Sequence, residues 1–262
     1  MPEPREGTVE LPEGHLWYWD TGGDGPPVVL LHAGTGSALS WPQQRDPLIA
    51  AGYRVVAYSR RGHHRSSPLT PDAPGCGADD LGALTRALEL EPFHAVAAAG
   101  GGYFATDFAL SRPERVRSLT IVSSLMGISE PEWQARVRSL SFPGFMDLPH
   151  DFLELGPSYR AEDPEGVAEW NRLHALAYDG ASMVAQDLRN DITWERLGQL
   201  AMPVLLVGGG ADLILPAPAV REVARHIPGA RMAEIADAGH SAPWERPSRF
   251  NGLLLDFLGS VV

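Results

Sequence analysis

A length of 262 residues, 44% of them hydrophobic, suits one α/β domain with a sizeable core and does not indicate a disordered chain. The formal net charge of −12 disfavours nucleic acid and anionic membrane surfaces as partners, and no apolar run approaches the roughly 18 residues that a membrane helix needs. All 21 basic residues are arginine, which excludes a lysine Schiff base and a P-loop, and a single cysteine excludes an internal disulfide.

The first half of the chain predicts strands that alternate with helices. TVELPEGHLWYWD predicts an antiparallel hairpin, and VVLLH predicts a buried strand. WPQQRDPLIAAG then predicts a helix, YRVVAYS a strand, DDLGALTRALELE a helix and FHAVAAA another buried strand. GGGYFATDFALSRPERV runs from a turn into a helix, and SLTIVSS is a further strand. This alternation indicates a mostly parallel sheet with helices on both faces.

The alternation stops between about Met126 and Leu200, where only amphipathic stretches occur. It resumes with the strand PVLLVGGG, the helix PAPAVREVARHI, the strand ARMAEIA and a closing helix from about Pro247 to Leu258. We therefore expect an α/β core formed by residues 1–125 and 201–262, with residues 126–200 inserted as a helical cap. Large apolar side chains of the cap indicate a mostly apolar pocket beneath it. They are Trp133, Phe142, Phe145, Met146, Phe152, Tyr159, Trp170 and Tyr178.

Four predicted strands end in patterns suited to catalysis, and ligands of parallel sheets bind at the carboxyl ends of the strands. The patterns are LLHAGTGSALSW, AAAGGGYFA, GGGADLILP and IADAGHSAPWERP. Together with the SRRGHHRS loop, their order along nearly the whole chain resembles the α/β-hydrolase superfamily, and the match weakens only in the insertion.

The resemblance implies an enzyme with the α/β-hydrolase fold. It implies that His240 is the general base and that Asp212 fixes the tautomer of its ring. It also implies that backbone amides of Gly34 and Gly100 form an oxyanion hole, which stabilises charge developing on a carbonyl oxygen. Asp237 is a rival acid, but it lies too close to His240 in sequence to be preferred.

The chain departs from the family pattern at the nucleophile. The family pattern G-x-S-x-G reads here AAAGG over residues 97–101, so Ala99 stands at the position of the serine. A methyl group cannot attack a carbonyl carbon, so this chain should form no acyl-enzyme. Other serines near the predicted site lie off the strand-to-helix turn, and Ser59, at a strand end, is the one to check against His240. The others are Ser37, Ser66, Ser67 and Ser241.

Three accounts of Ala99 stay open. The first is an engineered serine-to-alanine variant of a hydrolase that acts on esters, lactones or C–C bonds beside ketones. The second is a natural nucleophile-free lyase, isomerase, cyclase or oxygenase that uses His240, Asp212 and the oxyanion hole. The third is a non-catalytic ligand-binding protein, which is less attractive because binding alone has no chemical need for both His240 and Asp212.

The predicted substrate is a medium-sized, largely apolar carbonyl compound. We expect His32, Tyr103, Phe145 and Trp244 to line its pocket. No metal or other cofactor is expected, because neither HExxH nor GxGxxG spacing occurs. We further expect no nucleic-acid or membrane partner, and we allow for a homodimer. A cytoplasmic location is expected, because the first residues lack the basic-then-apolar order of a secretory signal.

Overall fold

The computed structural model of the protein describes residues 3–72, 74–90, 92–177 and 185–261. Within these ranges eight strands form a sheet with the order β1-β2-β4-β3-β5-β6-β7-β8. The strands are β1 (Arg5–Leu11), β2 (Gly14–Asp20), β3 (Pro27–Leu31), β4 (Arg54–Tyr58), β5 (Phe93–Ala98), β6 (Val116–Val122), β7 (Val204–Gly209) and β8 (Arg231–Ile235).

The sheet is antiparallel only at one edge. β1 and β2 form a hairpin, and β2 pairs antiparallel with β4. Every further pair, from β4–β3 through β7–β8, is parallel. The predicted mostly parallel sheet is therefore confirmed, and the carboxyl ends of β3, β5, β7 and β8 lie along one edge, where ligands of such sheets bind.

Eleven α-helices accompany the sheet in the described part of the chain. They are α1 (Pro42–Ala50), α2 (Gly77–Ala87), α3 (Gly101–Ser111), α4 (Pro131–Arg138), α5 (His150–Glu154), α6 (Pro157–Glu162), α7 (Pro164–Ala177), α8 (Trp194–Leu197), α9 (Ala217–Arg225), α10 (Ala242–Glu245) and α11 (Pro247–Gly259).

The core lies on both faces of the sheet, because successive residues of a strand point to opposite sides. On β3, Val29 and Leu31 pack into the cluster that includes Phe108 of α3. Val28 and Leu30 pack into the opposite cluster, which includes Phe250 and Leu254 of α11. This double burial explains why the central strands read as continuous apolar runs rather than as alternating patterns.

Helices α4 to α8 all lie in one segment, residues 123–203 between β6 and β7, which we call the helical segment. Part of it packs as a small cluster of Leu155, Tyr159 and Trp170 against Trp244 of the core. Phe142, Met146 and Phe152 are exposed on it. Tyr178 lies outside the described residues. None of the helices in the described ranges is long and apolar enough to cross a bilayer.

Candidate active site

A cleft that opens to solvent lies at the carboxyl edge of the sheet. Ala99 and His240, from strand ends that are 141 residues apart by number, share this cleft. Its walls come from the loop after β3, the end of β5, the helical segment and the loop after β8. The lining residues are Ala33, Thr35, Gly36, Ser40, Trp41, Ala98, Ala99, Glu154, Trp170, Leu173, His174, His240, Ser241, Pro243 and Trp244.

Ala99 occupies a sharp turn between β5 and α3. Its φ of +44° lies in the left-handed region, which costs an L-residue roughly 1–2 kcal/mol. Neighbouring groups hold the turn: the Ala99 N–H donates to the Val122 carbonyl at 2.9 Å, and the Ser124 hydroxyl donates to the Ala99 carbonyl at 2.5 Å. A Cβ on Gly101 would lie 2.5 Å from the Leu31 carbonyl oxygen, so glycine is required there. The sharp turn therefore forms although the side chain of Ala99 is only a methyl group.

His240 and Asp212 form a buried hydrogen-bonded pair. The Nδ1–H of His240 donates to Oδ2 of Asp212 at 2.8 Å. The other oxygen of Asp212, Oδ1, accepts the backbone N–H groups of Ile214 and Leu215 at 2.8 and 2.9 Å. These bonds fix the carboxylate, which in turn fixes the ring tautomer and leaves Nε2 to exchange protons with a substrate.

The charges around His240 raise its pKa. Burial alone would lower it, but the Asp212 carboxylate, through its charge and its hydrogen bond, outweighs burial, and the charges of Glu154 and Glu245 act in the same direction. The resulting pKa of His240 is about 9. The ring is therefore mostly an imidazolium at pH 7, and the form that can accept a proton grows with pH up to about 9.

Gly34 and Gly100, the predicted oxyanion-hole residues, lie against each other. A Cβ added to Gly100 would come within 3.1 Å of the Gly34 backbone nitrogen. The loop that carries Gly34 is braced by Arg60, whose Nη2 donates to the Ala33 carbonyl at 3.2 Å. Backbone amides held at such a loop can stabilise a developing oxyanion.

His32 supports that loop rather than the cleft. It is fully buried, its Nε2 accepts the Arg60 backbone N–H at 3.0 Å, and its Nδ1–H donates to the Ala33 carbonyl at 2.7 Å. Burial, with Arg60 and His63 beside it, holds the pKa of His32 well below its usual range. Burial and Arg60 also lower the pKa of His63 to about 3. Both rings are therefore neutral, structural groups.

Of the four residues predicted to line the pocket, the structure brings only Trp244 to the cleft. His32 lies beneath the loop, and Tyr103 lies in the first turn of α3 without lining the cleft. Phe145 lies on the helical segment away from the cleft and packs against Phe142 with 5.4 Å between ring centroids. The prediction fails for these three residues because the sequence shows that a side chain is aromatic, but not the direction in which that side chain points from its helix, strand or loop.

The rival acid and the alternative serines form hydrogen bonds with other groups. Asp237 is exposed and accepts the Nε–H of Arg246 at 2.6 Å. Ser59 is fully buried, and its hydroxyl oxygen accepts the Ala38 N–H at 3.3 Å. Ser241 lines the cleft, but its hydroxyl donates to Oε2 of Glu154 at 3.1 Å. None of these residues stands on the turn that Ala99 occupies.

The helical segment contacts the Gly34 loop through two histidines. The Nδ1–H of His174, in α7, donates to the Thr35 carbonyl at 2.7 Å. Its Nε2 therefore accepts the Nδ1–H of His150, in α5, at 2.8 Å. Trp170 stacks on His174 with a centroid distance of 5.3 Å and an interplanar angle of 12°. Helix α7 is thus attached to the loop that holds Gly34.

Comparison with known proteins agrees with this architecture. The family model for the alpha/beta hydrolase fold matches residues 26–149. The chain is 30% identical to the RutD protein of Azorhizobium caulinodans, which bears the name of a carbamate hydrolase, over 100% of this chain and 99% of that protein. The chain belongs to the α/β-hydrolase family.

Two further proteins similar to this α/β-hydrolase family member are named or described as enzymes. A 2-hydroxy-6-oxononadienedioate/2-hydroxy-6-oxononatrienedioate hydrolase of Paraburkholderia xenovorans is 27% identical, over 97% of this chain and 93% of that protein. The solved structure of an enzyme described as degrading N-acyl homoserine lactone superposes with a TM-score of 0.78 at 28% identity, covering 96% of this chain and 100% of that one. The protein is therefore a hydrolase-like enzyme.

Two buried carboxylates near the site of this α/β-hydrolase were not predicted from the sequence. Glu154 lines the cleft, and Glu245 lies behind His240 with 3% of its surface exposed. Glu245 accepts the backbone N–H groups of Gly156 at 2.8 Å and Gly239 at 3.0 Å, so it ties the helical segment to the His240 loop. No sequence signal identifies Glu154, and the only signal for Glu245 is its place in AGHSAPWERP.

Replacing Glu245 with glutamine is expected to lower the free energy of unfolding by about 1–3 kcal/mol, because glutamine has one accepting oxygen where the carboxylate has two. The Gly239 N–H donates to both carboxylate oxygens, so the NH₂ group of the amide would face that N–H whichever way the amide is turned. Chemical denaturation measures the change. The matched control is Glu195→Gln on the exposed surface of α8, which should stay within about 0.5 kcal/mol of the wild type. A Glu245→Gln protein as stable as that control would show that this bridge contributes nothing.

Proposed function

We propose that the chain is an enzyme that acts on a medium-sized, largely apolar carbonyl compound by general-base catalysis, without a covalent acyl-enzyme. The observation that carries the proposal is a cleft lined both by His240, which is hydrogen-bonded to buried Asp212, and by Ala99 on a sharp strand-to-helix turn. We assign the family's nucleophile position to Ala99, so the base has no side-chain hydroxyl to activate at the turn.

In the proposed reaction, water takes the place of the serine. Neutral His240 accepts a proton from water at Nε2 while the water oxygen bonds to the carbonyl carbon, and the C=O electron pair moves onto the oxygen. Backbone N–H groups of Gly34 and Gly100 stabilise that oxyanion. When the C=O bond re-forms, the leaving group departs and takes the proton from the imidazolium. Asp212 stays ionised throughout and stabilises the charged ring.

The relatives support a carbonyl substrate. Their names specify a carbamate, a lactone and a 6-oxo dicarboxylate, and each of these compounds contains a carbonyl group. The cleft lining supports the largely apolar character, because Trp41, Trp170, Leu173 and Trp244 contribute to it.

We further propose that the helical segment acts as the cap of this site. It contributes Glu154, Trp170, Leu173 and His174 to the cleft. The helices between β6 and β7 support this proposal, in which residues 126–200 form the cap.

The test is to mix the protein with p-nitrophenyl butyrate, quench samples in acid during turnover and weigh the intact chain by mass spectrometry. We expect release of p-nitrophenol without an initial burst and no butyryl adduct on the chain. An adduct on any residue during turnover would overturn the proposal, and digestion would identify that residue, with Ser40 and Ser241 of the cleft as the first to examine.

A further inference from the structure

The cleft contains a carboxylate that the proposed reaction does not use. Glu154 ends α5 inside the helical segment, lines the cleft together with His240, and has only 5% of its surface exposed. Burying an ionised carboxylate carries a large desolvation cost unless partners compensate for it. Such a group in a ligand cleft therefore calls for an explanation.

The contacts of Glu154 leave part of its bonding capacity unused. Its Oε2 accepts the Ser241 hydroxyl at 3.1 Å, and its backbone carbonyl accepts the Ser241 N–H at 3.0 Å. Among the described residues, the arginine ion pairs involve other carboxylates, and none involves Glu154. A carboxylate can accept about four hydrogen bonds. One neutral hydroxyl therefore leaves Glu154 able to take a cationic partner from the cleft.

The electrostatic balance of the cleft is negative. Among the described residues that line the cleft, none is an arginine, and the chain contains no lysine. Glu154 is the carboxylate that lines the cleft, and the charges of Asp212 and Glu245 also act on His240, so three carboxylates are set against one imidazolium. In a cleft with low-dielectric walls, such a balance attracts cations and repels anions. A dicarboxylate, as the name of the Paraburkholderia relative specifies, is disfavoured here.

The remaining walls also suit a cation. Trp41, Trp170 and Trp244 contribute aromatic rings to the lining. Aromatic rings attract ammonium groups while offering apolar contact to the rest of a ligand. A buried carboxylate that shares a cleft with aromatic residues suits the recognition of an amine.

We propose that the substrate carries a protonated amine, which binds beside the Glu154 carboxylate among the tryptophan side chains of the cleft. This inference rests on the proposed function, since it specifies a charged group on the same carbonyl substrate. The proposal includes no covalent step, so a binding measurement alone can test it.

The experiment is calorimetric titration of the whole protein with three probes of similar shape: 2-phenylethylammonium, 2-phenylethanol and 3-phenylpropanoate. We expect the ammonium to bind on the order of tenfold or more tightly than the alcohol, with the carboxylate weakest. Glu154→Gln keeps an acceptor for the Ser241 hydroxyl but removes the charge, so it should erase the preference for the ammonium. The matched control, Glu165→Gln on the exposed start of α7, should retain that preference.

Equal binding of ammonium and alcohol by the wild type would overturn the inference, as would a preference that survives in Glu154→Gln. If Glu154→Gln fails to fold, the order in which the wild type binds the three probes still tests the inference. Tight binding of 3-phenylpropanoate would contradict a negatively charged cleft and overturn it. Different results would overturn the proposed mechanism and the proposed amine site. An acyl adduct in the mass spectrum removes the proposed mechanism but not the amine site, whereas loss of the ammonium preference leaves the base mechanism intact.

Discussion

Replacing Ala99 with serine is expected to produce a burst of p-nitrophenol, equal in amount to the protein, when p-nitrophenyl butyrate is added. The new hydroxyl would be added to a residue that lines the same cleft as His240. Ala99 already adopts the left-handed φ of +44°. Because serine adds only one oxygen to the same Cβ, the backbone of the turn need not change. The base, its carboxylate and the amides of Gly34 and Gly100 would then serve an acyl-enzyme.

The burst should coincide with a butyryl adduct on residue 99 in the intact mass. The matched control is Ala98→Ser, which places the same hydroxyl on the preceding residue, also at the cleft but at the end of β5. We expect neither burst nor adduct from that variant. A folded Ala99→Ser protein that behaves like the control would show that Ala99 does not occupy the nucleophile position, and the assignment would have to be withdrawn.

The sheet could be predicted from the sequence, and so could the proximity of His240 and Asp212, because both depend on local patterns and on the order of the strands. The apolar runs VVLLH, FHAVAAA and PVLLVGGG give strands buried on two faces, and the structure buries residues such as Val29 and Val96 completely. His240 and Asp212 follow strand ends, and parallel topology brings strand ends to one edge. Their hydrogen bond of 2.8 Å therefore follows from the order of elements more than from any detail of packing.

The rest of the site depends on contacts between segments far apart in sequence. Glu245 acquires its role from Gly156, 89 residues away, and His174 from Thr35, 139 residues away. Helices of the helical segment have no sheet to fix their rotation, so the sequence could not show that Glu154 and His174 enter the cleft while Phe145 does not. His32 was misplaced for a different reason. It stands at a strand end, but its ring turns beneath the loop and accepts the Arg60 backbone N–H.

Removing the imidazole of His240 is expected to lower turnover of p-nitrophenyl butyrate by about 10²–10⁴-fold, the usual contribution of a positioned general base. His240→Ala is the variant, and His226→Ala is its control, because His226 stacks on Trp194 of α8 and does not line the cleft. The control should retain wild-type turnover. Undiminished turnover in a folded His240→Ala protein would mean that another group supplies the base.

The pH dependence separates a base from a merely structural histidine. Because His240 must be neutral to accept a proton and its pKa is about 9, wild-type turnover should rise about tenfold per pH unit from pH 7 and level off near pH 9. The Asp212 carboxylate raises that pKa, so Asp212→Asn should move the rise to lower pH, besides lowering the plateau by releasing the ring. His240→Ala should lose the rise altogether. A flat wild-type profile between pH 7 and 9, or one that Asp212→Asn leaves in place, would contradict a proton transfer at His240, since packing alone gives neither response.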